Sequence, residues 1–317
     1  MLELDEKKIR KGRPIGLPYQ GSKKKISKKI VEIIKQNFGT DKPIYDIFGG
    51  GGAIAAECLI NGLDVHYNDL DHTITDMFQR VLATDREFLK TLIVSRDEFS
   101  KIRDKETKTV DDELKLLVNS FGNNRKAYLY GKEYSDLKYQ LAVEIIDKHN
   151  VFAGYKQTET YKNAYRPFDI GKDKNHQALG QLQQLKRLER LQQLTALQQL
   201  ERLQNVNIKN LKITNHDYKH FSHLTDTIIY LDPPYENATL DGYSISEFDS
   251  QPFYDWAYEM SKKNIVLISS YEIPDSRFEC VYEFKTARST LSGGTSKNKI
   301  EKLFMVKKYF FESGGLF

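Results

Sequence analysis

The chain has 317 residues, enough for one large domain or two smaller ones with substantial cores, and its composition is that of a folded protein. Two cysteines, Cys58 and Cys280, are too few for a disulfide framework and lack metal-ligand spacing, which excludes a cysteine zinc site and points to a reducing cytoplasm. No stretch has the length of a membrane span, the amino-terminal residues lack the apolar segment of a secretion signal, and a net charge of +4 alone selects no partner.

The distribution of charge is more informative. Between Lys7 and Lys29 there are ten Lys or Arg residues and no acidic one, a run suited to a phosphate backbone. Lys7 to Arg13 reads as a solvated tail, whereas Lys23 to Lys29 opens a helical pattern carried by Ile26, Ile30, Ile33 and Ile34. Pro18-Tyr19-Gln20-Gly21-Ser22-Lys23 before it reads as a loop with Ser22 as the N-cap. Pro43 to Phe48 predicts a strand, Gly49-Gly50-Gly51-Gly52 a tight turn, and the residues from Ala53 a helix. Glycines there allow close approach to a ligand, and the helix offers its first amides. No Gly-Lys-Ser/Thr follows, so this is not a Walker loop, and the Asp46-x-Phe48-x-Gly50-x-Gly52 spacing differs from the dinucleotide fingerprint. Asp64 to Tyr67 predicts a second strand ending at Asn68-Asp69-Leu70-Asp71. Asp69, about 20 residues beyond the glycine loop, is placed for ribose hydroxyls, with an Asx turn or helix cap as the alternative.

The distance to the next strand signals is too long for a continuous sheet, so residues 86–205 read as an insertion between a first part, 1–85, and a second part, 206–317, of one sheet domain. Helices are expected over Asp111 to Asn119 and Leu137 to Asn150, and loops with polar and aromatic side chains over Asn119 to Arg125 and Phe152 to Lys156, a composition suited to groove and phosphate contacts. Leucines recur every third residue from Leu179 to Leu203. On an α-helix they would spiral around the cylinder, and the strict period of three suits a repeating turn or a small solenoid, yet the residue types favour helix, with a structural or partner-contact role.

Asn207 to Ile213 predicts a strand ending at Asp217, a carboxylate placed for the amino group of an adenine ring; His216 beside it reads as a bystander. Thr227 to Leu231 has the composition of a buried strand and runs into Asp232-Pro233-Pro234-Tyr235. Two prolines freeze that loop at a strand's carboxyl end, where open α/β sheets place ligands. The Asp232 carboxylate and the Pro233 carbonyl would accept both hydrogens of an exocyclic amino group while the Tyr235 ring stacks on the base that bears it. Phe248, Phe253, Tyr254 and Trp256 belong to a helix-like segment. Asn264 to Ser270 is another buried strand, and two more flank a Ser289 to Lys299 loop that could touch phosphates.

Together, the Tyr19 to Lys23 segment, Asp46 to Gly52, Asn68-Asp69, Asp217-Tyr218 and Asp232 to Tyr235 resemble the D12 class of adenine-specific DNA methyltransferases in identity and order. The resemblance implies an α/β, Rossmann-like S-adenosylmethionine-dependent methyltransferase sheet with helices on both faces and an inserted, mainly helical target-recognition domain. It also implies that Tyr19, Lys23, Asp46, Phe48, Gly50, Gly52, Asp69 and Asp217 hold S-adenosylmethionine. Asp232, Pro233, Pro234 and Tyr235 would hold the target adenine of double-stranded DNA, with Asp232 also close to the cofactor; no metal is required. Two other readings stay open: the same chemistry on RNA, and a catalytically silent DNA- or partner-binding protein.

Overall fold

The computed structural model describes residues 1–19, 21–165, 190–234, 248–288 and 300–307. Tyr235, the Ser289 to Lys299 loop and the leucines from Leu179 to Leu188 lie outside these residues. The chain forms two compact units, one of Met1–Leu17, Gly21–Phe78 and Val206–Phe317, the other of Pro18–Gln20 and Gln79–Asn205.

The first unit is built on a seven-stranded sheet. Its strands are β1 (Ile44–Asp46), β2 (Val65–Asn68), β3 (Leu211–Thr214), β4 (Ile228–Leu231), β5 (Ile265–Ser270), β6 (Phe278–Arg288) and β7 (Ile300–Val306). The order is β3-β2-β1-β4-β5-β7-β6, with β1 to β5 parallel and β7 antiparallel to both its neighbours. From β1 the chain fills one side of the sheet with β2 and β3, then crosses to the other side with β4 and β5. The boundary between β1 and β4 is therefore the switch point where such sheets bind ligands.

In chain order the helices are α1 (Ser27–Phe38), α2 (Ala53–Ile60), α3 (His72–Leu82), α4 (Arg86–Lys90), α5 (Arg96–Arg103), α6 (Val110–Asn119), α7 (Lys132–His149), α8 (Glu159–Tyr165), α9 (Gln192–Gln204) and α10 (Ser250–Ser261). All four residues of β4 are buried, as expected of a strand covered on both faces. Ile229 and Leu231 join Val266, Ile268, Phe253 and Ala257 in one apolar cluster, which seats α10 on the sheet.

Local chemistry shortens several predicted elements. Ile47 and Phe48 leave the β1 ladder because the turn into α2 begins there. Asn207 to Asn210 do not extend β3; the Asn207 side chain accepts from Lys209 N at 3.1 Å and holds a turn. Ser22 caps a 3₁₀ turn, Lys23–Lys25, rather than α1 itself. The segment Lys7 to Arg13 is exposed along most of its length, as expected, but it is anchored through Arg10, which makes two hydrogen bonds, of 2.8 and 2.7 Å, to the buried carboxylate of Glu57. Lys28 and Lys24 donate to the backbone carbonyls of Gly12 and Leu17, and Lys29 pairs with Glu6. Much of the basic run therefore serves the unit's own structure.

In the second unit α6 begins with a capping box formed by Thr109 and Asp112. Phe99, Ile102, Leu116, Tyr128 and Tyr130 contribute to a core cluster. The part of the leucine repeat in α9 is helical, and Leu191, Leu194, Leu197, Leu200 and Leu203 are all fully buried. Each step of three falls about 60° short of a full turn, so Leu194 to Leu203 sweep about half the circumference. A helix of 13 residues is short enough for that whole arc to face the interior.

Candidate active site

The switch point brings two strand ends together. Asp46 at the end of β1 pairs in register with Tyr230 of β4, and the Ile47 amide donates to the Tyr230 carbonyl at 3.2 Å. Beyond β1 lies the glycine loop; beyond β4 lie half-buried Asp232 and buried Pro233 and Pro234.

Asp46 Oδ2 accepts from the amide of Ala55 in the first turn of α2 at 3.2 Å. Its Oδ1 is buried and has no hydrogen-bond partner among the described residues. Burial, with the negative charges of Asp232 and Asp69 adding to it, pushes the Asp46 carboxyl well above the usual range, against the opposing Ala55 bond. Asp69 Oδ2 accepts from Gly50 N at 2.8 Å and its Oδ1 from Asp71 N at 2.9 Å. Burial pushes this carboxyl up to about 6 although both bonds oppose it. Asp69 Oδ1 thus makes the Asx-type contact weighed as the alternative, while Oδ2 ties the same carboxylate to the glycine loop.

The glycines have separate reasons for being glycine. Gly52 has φ +68°, and a Cβ there would meet the Phe78 ring at 2.3 Å. At Gly49 a Cβ would lie 2.3 Å from two Tyr67 ring carbons and 3.1 Å from the Asn68 carbonyl. Gly50, with φ +47°, donates to Asp69 and accepts from the Tyr67 hydroxyl at 2.6 Å. Phe48 is half-buried against Tyr218, Phe248 and Phe253, with ring centroids 5.7 to 6.1 Å away.

Lys23 enters from the 3₁₀ turn before α1. Its Nζ lies 2.7 Å from Asp232 Oδ1 and 3.8 Å from Glu301 of β7; the side chains of Lys23 and Asp232 are only 11% and 17% exposed. Asp217 is at the end of β3, exposed, where it accepts from Lys219 N at 2.9 Å and caps a 3₁₀ helix, Tyr218–His223. His216 stacks on His220 at 3.9 Å. Tyr19 belongs to the second unit and is half-buried. The structure thus groups Asp46, Asp69, Lys23 and Asp232 around the switch point.

Two residues that organise this region were given no role from the sequence, although Asn68 stands in the Asn68-Asp69 motif. Asn68 is buried: its Nδ2 donates to the carbonyls of Ile47 and His216, each at 2.9 Å, and its Oδ1 accepts from Thr214 Oγ1 and His216 N, also at 2.9 Å. It ties β1, β2 and β3 together at their carboxyl ends. Glu301 is 5% exposed, and the signal for it was available: it shares the inward phase of β7 with Leu303.

The Asp46 carboxyl faces the negative charges of both Asp232 and Asp69 and keeps an unpaired buried oxygen, an arrangement that suits a ligand bringing positive charge or hydrogen-bond donors. Among the described residues no His, Cys, Asp and Glu group could hold a metal ion. A parallel sheet closed by an antiparallel β7, with acidic residues at the ends of β1 and β2 and Asp-Pro-Pro after β4, defines an α/β S-adenosylmethionine-dependent methyltransferase. The family model of the D12 class N6 adenine-specific DNA methyltransferases matches residues 19–284, and the chain belongs to that family. Its activity is accordingly transfer of a methyl group from S-adenosylmethionine to N6 of adenine in DNA. No match was found among curated proteins.

Proposed function

We propose that Asp232, Pro233, Pro234 and Tyr235 receive an adenine turned out of duplex DNA, and that the residues around the glycine loop hold the cofactor beside it. The observation that carries this reading is the Lys23–Asp232 pair at the switch point, little exposed, whose aspartate charge is felt by the buried Asp46 carboxyl. Reaching N6 requires extrusion of the base at a cost of about a few kcal/mol. Asp232 and the Pro233 carbonyl accept its two N6 hydrogens, which draws the nitrogen toward tetrahedral geometry and frees its lone pair, and Tyr235 stacks on the ring. Proline rigidity keeps both acceptors fixed through the reaction. S-adenosylmethionine, when bound, supplies an electrophilic methyl group on a cationic sulfur. Asp69 accepts from its ribose hydroxyls, Asp46, Gly50 and Gly52 line the loop against it, Phe48 offers an apolar edge, and Asp217 accepts from its adenine amino group. Lys23 completes the cofactor site within the first unit.

We assign target recognition to the second unit, where Phe121 is 64% exposed beside Lys126, also exposed. The leucines from Leu191 onward serve the interior, and the repeat's earlier leucines, Leu179 to Leu188, lie outside the described residues. Action in the cytoplasm fits two free cysteines and, among the described residues, no helix long and apolar enough to cross a membrane.

The test is transfer from methyl-labelled S-adenosylmethionine to unmethylated duplex DNA, followed by digestion to nucleosides, with 2-aminopurine at the target position as the reporter of extrusion. N6-methyladenine from the intact protein, absent with Asp232→Ala, together with a fluorescence rise on DNA binding, is the expected result. An Asp232→Ala protein that methylates at the normal rate would remove Asp232 from the mechanism.

A further inference from the structure

Glu301 is a buried acid that the reading above does not use. It lies beyond residue 284, where the family match ends. Its placement follows from sheet register. β5 and β7 are antiparallel with Ser269 opposite Leu303, so Glu301, two residues from Leu303 on the same face, is the diagonal neighbour of Ser269. Ser269 is fully buried, and its hydroxyl donates to Glu301 Oε1 at 2.9 Å. On the next strand Tyr230 of β4 pairs with Leu267, so the register continued to Asp232 points at Ser269. Asp232 just past β4, Ser269 of β5 and Glu301 of β7 therefore follow one another across the sheet, and the Lys23 ammonium sits 2.7 Å from the first carboxylate and 3.8 Å from the last.

A lysine side chain has four rotatable bonds and no intrinsic preference for one carboxylate oxygen. A second carboxylate, held by Ser269 and 3.8 Å from the ammonium, restricts where it can rest. We propose that Glu301, held by Ser269, is a positioning residue: it fixes Lys23, and through Lys23 the orientation of the Asp232 carboxylate that takes the N6 hydrogens. This rests on the assignment of Asp232 to the target base. Glu301 touches neither base nor cofactor in this scheme and acts only through the lysine.

The experiment is steady-state methylation of duplex DNA by Glu301→Gln, Glu301→Asp and Ser269→Ala, each also followed by thermal denaturation, with Lys23→Ala and Asp232→Ala alongside. Glu301→Gln keeps the shape and an acceptor for Ser269 but loses the charge. Its kcat should fall about tenfold with KM for DNA within about twofold of the parent and little change in melting temperature, because a misaligned acceptor is felt in the reacting state. Glu301→Asp should retain more of kcat than Glu301→Gln, and Ser269→Ala, which loosens Glu301 and leaves both charges, should lose about threefold. A Glu301→Gln enzyme at the parental kcat, or one no slower than Glu301→Asp, overturns the proposal. If the Glu301 variants do not fold, an unchanged kcat in Ser269→Ala overturns it. Full activity in Lys23→Ala and Asp232→Ala would instead sink the active-site reading itself.

Discussion

Lys23 Nζ and Asp232 Oδ1 meet at 2.7 Å, joining the turn ahead of α1 to the loop that leaves β4. With Glu301 at 3.8 Å, the single ammonium is shared by two carboxylates of low exposure. Removing it takes away a positive charge that both carboxylates approach.

Lys23→Met should therefore destabilise the protein by about 2–3 kcal/mol at pH 8. Thermal melts of parent and variant at that pH test this. Equal melting temperatures for parent and variant at pH 8 would show that the pair contributes nothing to stability.

Asp69 gives a second pH effect. Its folded carboxyl titrates at about 6, above the ordinary aspartate value, so the folded state holds a proton that the unfolded chain has released between roughly pH 4 and pH 6. This group's contribution to stability should rise as pH falls from about 6 toward 4, by at most about 1.4 kcal/mol per pH unit, and be flat above 6. The parent-minus-Asp69→Asn difference in unfolding free energy isolates the slope. Cofactor affinity should move the other way, weakening below about pH 6 as Asp69 loses the charge that accepts hydroxyl hydrogens. Calorimetric titration at pH 5.5 and 7.5 distinguishes the two.

Gly49 and Tyr67 are in a packing relation that a methyl group destroys. Gly49→Ala places a Cβ 2.3 Å from two ring carbons and should cost about 2–4 kcal/mol. Tyr67→Leu in the same chain should restore part of it. A double variant no more stable than Gly49→Ala alone would locate the strain elsewhere.

Asn68→Asp changes one atom for another of similar size and should still cost about 2–4 kcal/mol, because two donated hydrogen bonds become contacts between a carboxylate and backbone carbonyls. Amide exchange should accelerate at the carboxyl ends of β2 and β3 and remain slow in β5.

Much of the sheet was legible because its signals are local. Ile228 to Leu231 is a run of apolar residues stopped by two prolines, and Ile44 to Gly52 is a strand stopped by glycines. Asp69 and Asp232 could be singled out for the same reason: each is the first acidic residue past a strand end. What was not legible depends on partners distant in the chain. Arg10 looked solvated because nothing near it in sequence announces Glu57, and Glu301 acquires meaning only from the register of β7 against β5. The period of three in the leucines pointed to a spiral, and it becomes an interior face only because α9 ends after half a revolution of that drift. Asn207-Ile208 has strand-like alternation, but the asparagine side chain competes successfully for the backbone.

The position of β7 between β5 and β6 sets an order on synthesis. On the ribosome β6 emerges first, but its partner in the sheet is β7, so until that strand arrives β5 presents an open hydrogen-bonding edge and β6 has nowhere to dock. The nascent polypeptide can assemble its parallel half early and must wait for a single later strand to close the edge. Chaperone dependence and truncation sensitivity should concentrate at that last insertion, which also delivers Glu301.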